Sequence, residues 1–149
     1  VVFDPDNSRL EYFLISPPNP GPPVFQDWVA SQGASGHSSS PMMDYDRDSV
    51  SNWEEFLFGT NPTLSDRNSL RRPGVRMTSV GPRFTYHLRS DFEPGLSHQT
   101  SYDLINWETL ERTPLDLPRD EGYQEIQFPL DPNRSREFFK TTIPLPKEN

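Results

Sequence analysis

The sequence predicts an α+β, mainly β chain: a small antiparallel β-sandwich-like domain preceded by a two-helix segment. Three observations predict it. Apolar residues recur at helical spacing twice, within residues 24–33 and 51–59. Beyond residue 74 they alternate in short runs punctuated by Gly, Pro and Asn, the pattern of strands and tight turns. The 149 residues suit one domain, yet only 32% are hydrophobic and 17 are proline, so its core is thin for its length.

Residues 1–23 read as an N-terminal strand and a Pro-rich connector. Leu10–Ile15 (LEYFLI) is a short apolar run, expected as a buried strand with no hairpin partner close in sequence, and Pro17–Pro23 is stiff and extended. Residues 24–66 read as a helix–loop–helix segment. Val24, Phe25, Trp28 and Val29 share one helix face, and Gln32-Gly33 ends that helix. The Gly/Ser-weighted stretch ASGHSSSPMM, residues 34–43, follows. Ser51 and Glu54 have the S-x-x-E spacing of a capping box, so a second helix begins at Ser51. Trp53, Phe56 and Leu57 give it an apolar stripe, Gly59 closes it and Asn61-Pro62 forbids continuation. So short a helix cannot stand alone, which places Trp28 and Trp53 between the two helices.

Residues 67–149 read as the antiparallel β domain. Val75–Val80 and Arg83–Ser90 pair about a turn at Gly81-Pro82, with Phe84, Tyr86 and Leu88 pointing inward. Tyr102 and Leu104 fall in one strand, and Ile105, Trp107 and Leu110 in the next. Ile126, Phe128 and Leu130 alternate in another, and Arg136–Ile143 forms the last. The Arg71-Arg72 and Arg76 group reads as a solvated linker.

Between the helices lies the segment with the most chemical content, Asp44–Glu55 (DYDRDSVSNWEE). Asp44, Asp46 and Asp48 alternate, Asn52 holds the ninth position and Glu55 the twelfth, which is the oxygen-ligand spacing of an EF-hand calcium loop. Val50, at the seventh position, would offer its carbonyl. The expected metal ligands are thus Asp44, Asp46, Asp48, Val50, Asn52 and Glu55, holding one Ca²⁺. Position six, where a sharp turn favours Gly, is Ser49. A left-handed backbone there costs roughly 1–2 kcal/mol, weakening binding about five- to thirtyfold without deleting the site.

Composition narrows the function classes. A net charge of −8 and a pI near 4.8 argue against nucleic acid and anionic membranes, and fit a secreted or cell-surface protein in a calcium-rich medium. No apolar run approaches the roughly 20 residues of a membrane span. Without cysteine, disulfides and thiolate chemistry are excluded, and calcium is the cross-link left to an extracellular chain. Val1 reads as a processed or truncated start, the C-terminal piece of a longer chain. His37, His87 and His98 lack zinc-ligand spacing, and Ser97-His98 with Asp103 lacks a nucleophile elbow. No catalytic residue is assigned. Tyr102, Trp107 and Tyr123 are the candidate rings for a ligand platform, with a polysaccharide as the ligand they would suit.

Taken together the pattern resembles a module that ends large secreted bacterial proteins, often polysaccharide-degrading enzymes or surface proteins. The matching features are Phe25 to Trp28, the loop Asp44–Glu55, the exit Gly59-Thr60-Asn61-Pro62, Ser101–Trp107 (SYDLINW) and Arg136–Phe139 (REFF). The loop is similar to those of dockerins and thrombospondin type 3 repeats, and the likeness spans roughly residues 24–145. It implies a calcium-stabilised, non-catalytic extracellular module that supports, attaches or mediates binding for a larger parent protein or neighbouring subunits. Two alternatives are a carbohydrate-binding accessory module of a polysaccharide-active enzyme, and a subunit of an extracellular assembly built by strand addition at the N-terminal run. Ser49 and the insertion before the loop depart from the family's pattern.

Overall fold

A computed structural model describes residues 2–4, 9–11, 25–90, 94–118 and 122–146. The architecture is α+β and mainly β, with antiparallel sheets and two short helices. Strand β1 (Val2–Asp4) pairs antiparallel with β2 (Arg9–Glu11), so the expectation that the N-terminal run lacks a nearby hairpin partner is corrected. The rest of that run, 12–15, and the proline tract 17–23 lie outside the described residues.

Helix α1 (Phe25–Ser31) buries Phe25, Trp28 and Val29 and ends at Gly33 in the left-handed conformation, φ 88°. There the Ala34 N–H returns to the Val29 carbonyl at 3.2 Å and the Gly33 N–H to that of Ala30 at 3.0 Å, which satisfies carbonyls the last turn would leave orphaned. Helix α2 (Asn52–Phe58) carries the capping box that its sequence predicts. The Ser51 hydroxyl accepts from the Glu54 N–H, and the Glu54 carboxylate accepts from the Ser51 N–H. Phe25 bridges the helices, its ring centroid 5.9 Å from Trp53 and 5.6 Å from Phe56, and Trp28 meets Phe56 at 5.2 Å. Gly59 caps α2 at φ 76°, and a Cβ there would lie 2.5 Å from Cε1 of Tyr123, so backbone and packing both demand glycine.

Four strands, β3 (Gly74–Thr78), β4 (Gly81–Arg89), β7 (Leu115–Pro118) and β8 (Tyr123–Pro129), form one sheet in the order β3-β4-β8-β7. A second sheet has the order β6-β5-β9, from β5 (Ser97–Ser101), β6 (Glu108–Thr109) and β9 (Phe138–Thr142). Phe84, Tyr86, Ile126 and Phe128 occupy matched register on β4 and β8 and face the second sheet. There Phe84 stacks flat on Phe139 at 4.5 Å, and His98 sits among Phe84, Tyr86 and Phe128. The His98 ring is hydrogen-bonded on both sides, to the Tyr86 hydroxyl at 2.9 Å and the Thr141 hydroxyl at 3.0 Å. Phe58 joins α2 to this core through Tyr86 at 6.2 Å, so helices and sheets share one apolar cluster.

Several strand boundaries differ from expectation. The β3–β4 turn falls at Ser79-Val80, because Thr78 pairs with Gly81 and the strand runs through Pro82. Tyr102 and Leu104 follow β5 instead of lying in a strand. The Asp103 carboxylate accepts from the N–H groups of Ile105 and Asn106, both at 2.8 Å, and closes a loop that leaves Ile105 80% exposed. Arg76 lies within β3 and not in a linker.

Candidate metal centre

The loop between the helices is shaped by its own carboxylates. Asp44 accepts from the N–H groups of Arg47 (2.6 Å), Asp48 (3.1 Å) and Ser49 (2.7 Å), pulling the chain into a coil around its first residue. Asp46 accepts from the Asp48 N–H, and Asp48 from that of Val50. Ser49 has φ 76°, the left-handed backbone that its position in the loop requires, and Arg47 joins it at φ 67°. The capping box then starts α2 so that Glu54 is spent on the helix end and Glu55 turns inward.

Glu55 is the most telling group in the molecule. Its relative exposure is 0%, and neither Oε1 nor Oε2 has a hydrogen-bond partner among the described residues. A buried carboxylate without donors costs far more than the fold can spare unless something neutralises it. Among the described residues no cationic side chain pairs with it, and the charges acting on it are those of other acids. Asp48, Glu55 and Asp66 each bring a carboxylate oxygen within 4.8 Å of the others, as do Asp44, Asp46 and Asp48, so the two clusters share Asp48. Burial first, then the negative charges of Asp46, Asp48, Asp66 and Asp44, push the Glu55 carboxyl up to about 8. Asp46 and Asp66 are also raised, burial again being the main cause. Asp46 Oδ2 and Asp66 Oδ1 are buried without partners as well.

Clustered carboxylates that include the donor-free oxygens of Asp46, Glu55 and Asp66 fit a hard divalent cation, and these acidic clusters could hold a metal ion. Asp66 was not foreseen in the sequence. It lies eleven residues beyond Glu55, past the Asn61-Pro62 break, and is drawn in by two backbone bonds. Its own N–H donates to Asp48 at 2.9 Å, and its carboxylate accepts from the Asn61 N–H at 3.1 Å. An Asp shortly after the proline exit was the only available signal.

Asn52 has a different set of contacts from those its ninth position suggested. Its amide nitrogen donates to the carbonyls of Ser38 and Ser40, both at 2.8 Å, and its Oδ1 accepts from the Tyr45 N–H at 3.2 Å. It ties the 34–43 stretch to the loop, helped by the Asn52 N–H on the Met43 carbonyl and the Trp53 N–H on that of Pro41. Val50 is buried, with its N–H on Asp48.

The three candidate platform rings lie apart in the fold. Tyr123 begins β8 in the four-stranded sheet, whereas Tyr102 and Trp107 flank the β5–β6 connection of the other sheet. A cation sits over each: Arg71 over Tyr123 at 5.0 Å, Arg134 over Tyr102 at 4.4 Å and Lys140 over Trp107 at 5.6 Å. No helix among the described residues is long and apolar enough to cross a membrane. No protein-family model, curated protein or solved structure matches this chain.

Proposed function

We propose that this chain is a non-catalytic, calcium-binding structural module of a secreted or cell-surface protein, in which one Ca²⁺ staples the loop to α2 and to the Asp66 segment. The observation that carries this reading is Glu55, fully buried with both oxygens lacking a donor and four other carboxylates around it. Calcium suits this set better than magnesium, because five carboxylates, three on the coiled loop, one on α2 and one past the Asn61-Pro62 exit, supply many oxygens at loosely defined angles, whereas magnesium demands a strict octahedron. Asp44, Asp46, Asp48, Glu55 and Asp66 would hold the ion, and the Val50 carbonyl is the candidate backbone ligand. A thin core gives the ion its task. By linking the loop, α2 and residues 61–66, it would hold in place the helix pair that Phe58 docks on the sandwich.

Non-catalytic is the better reading because the tightest carboxylate cluster would be spent on the ion, and His98 is enclosed by core rings. The test is thermal unfolding with EDTA, calcium or magnesium. Calcium at about a hundred times its dissociation constant should stabilise by about 2.7 kcal/mol, magnesium by clearly less. A melting temperature indifferent to all three would sink the proposal.

A further inference from the structure

Positive charge is concentrated in one stretch of the chain. Residues 67–89 contain six arginines and no Asp or Glu, so they carry +6 and leave −14 on the other 126 residues within the total of −8. Three of the six are engaged inside the fold: Arg71 and Arg89 lie over Tyr123, and Arg72 pairs with Glu54 at 3.5 Å. Arg67, Arg76 and Arg83 meet no carboxylate among the described residues. Strand register sharpens the point. Arg76 of β3 stands directly opposite Arg83 of β4, on the same sheet face, and like charges so placed destabilise a sheet.

The Arg76 side chain is folded back along its own strand. Its guanidinium lies against Gly74 and donates to the carbonyls of Val75 at 3.3 Å and Arg72 at 3.4 Å, while its Nε–H finds no acceptor among the described residues. The Arg72 Nε–H also lacks one. Long bonds to neutral carbonyls are a poor substitute for the bidentate grip that a carboxylate or sulfate would give the same planar fork.

We propose that the β3–β4 hairpin binds an acidic polysaccharide, with Arg76 and Arg83 taking its carboxylate or sulfate groups. β3 is an edge of its sheet, so a chain-like ligand can approach it from the side. Val80, 64% exposed in the turn that joins the two strands, supplies apolar surface that the C–H face of a sugar ring can cover, whereas Met77 lies on the opposite sheet face. Nucleic acid fits less well. A five-residue strand spans only about 17 Å, and two arginines are too few to follow a phosphate backbone. This surface is separate from the metal centre and does not rest on the calcium reading.

The experiment titrates the protein, in calcium and at about 50 mM salt, with dextran sulfate and separately with hyaluronate. Saturable binding to at least one polymer is expected, and the arm that binds tells sulfate from carboxylate. Arg76→Gln with Arg83→Gln should weaken it about tenfold and lower the log–log salt slope by roughly 1–2. Arg136→Gln, an exposed arginine just before β9, should leave affinity unchanged. Because the double change removes a repulsion, its unfolding midpoint should equal or exceed that of the parent, which separates lost binding from lost fold. No saturable binding to either polymer overturns the proposal, as does undiminished binding by the double variant or an equal loss with Arg136→Gln. Tighter binding to duplex DNA would overturn it in favour of nucleic acid. A concentration-dependent dimer that the double variant abolishes would overturn it in favour of a second copy's acidic surface.

Discussion

Glu55→Gln should reverse its effect on stability with calcium. In the metal-free protein the Glu55 carboxyl is raised from 4.5 to about 8, so the folded state holds a proton that the unfolded chain has released. Between pH 4.5 and 8 the folded state therefore binds more protons, and stability falls as pH rises. At 1.36 kcal/mol per unit, the loss between pH 5 and pH 8 is about 4 kcal/mol. Gln has the same shape and no charge, and its amide can donate to the surrounding carboxylates. In EDTA at pH 8 the variant should thus be the more stable protein by several kcal/mol, a gap that closes towards pH 5. In calcium the order inverts, because the parent gains the ion's binding energy and the variant loses its strongest ligand. Urea unfolding followed by tryptophan fluorescence reads both, since Trp28 and Trp53 are buried in the helix pair. Identical pH profiles of parent and variant in EDTA, or equal stabilisation of both by calcium, would refute the reasoning.

Four further outcomes follow from particular contacts. Ser49→Gly relieves a left-handed backbone at φ 76° and should tighten calcium binding about fivefold or more, read by isothermal titration. Asp66→Asn keeps its N–H bond to Asp48 but removes a charge from the cluster, and should raise the dissociation constant about tenfold. Gly59→Ala meets both an unfavourable φ and the Tyr123 ring, and should lower the unfolding free energy by about 2–3 kcal/mol. Burial among core rings lowers the His98 pKa, so the unfolded chain takes up its proton first. In calcium-loaded protein, stability should then fall as pH drops below about 6.5, and His98→Gln should flatten that component of the urea-midpoint profile.

The legible parts of the sequence were those where local chemistry decides the outcome. Ser51 and Glu54 announced their capping box, Gly59 its left-handed cap, and the alternation of Phe84, Tyr86, Ile126 and Phe128 the sandwich core. The Asp-x-Asp-x-Asp loop folded around Asp44 because its carboxylates bind nearby N–H groups. Less legible was whatever depends on distant partners. Strand β5, SHQTS, has no apolar alternation; its buried Thr100 and Ser101 are satisfied by Glu137 and Asp103, a pattern that composition hides. Leu104 and Ile105 looked like strand residues because they are aliphatic, yet Asp103 captures their neighbourhood as a loop. Asp66 needed the third dimension, since only the turn after Pro62 returns it to Asp48.

The most direct test of the central claim is an anomalous difference map from crystals grown in calcium. One peak is expected, within about 2.3–2.6 Å of oxygens from Asp44, Asp46, Asp48, Glu55 and Asp66. An ordered loop at millimolar calcium with no peak among those five side chains would contradict it.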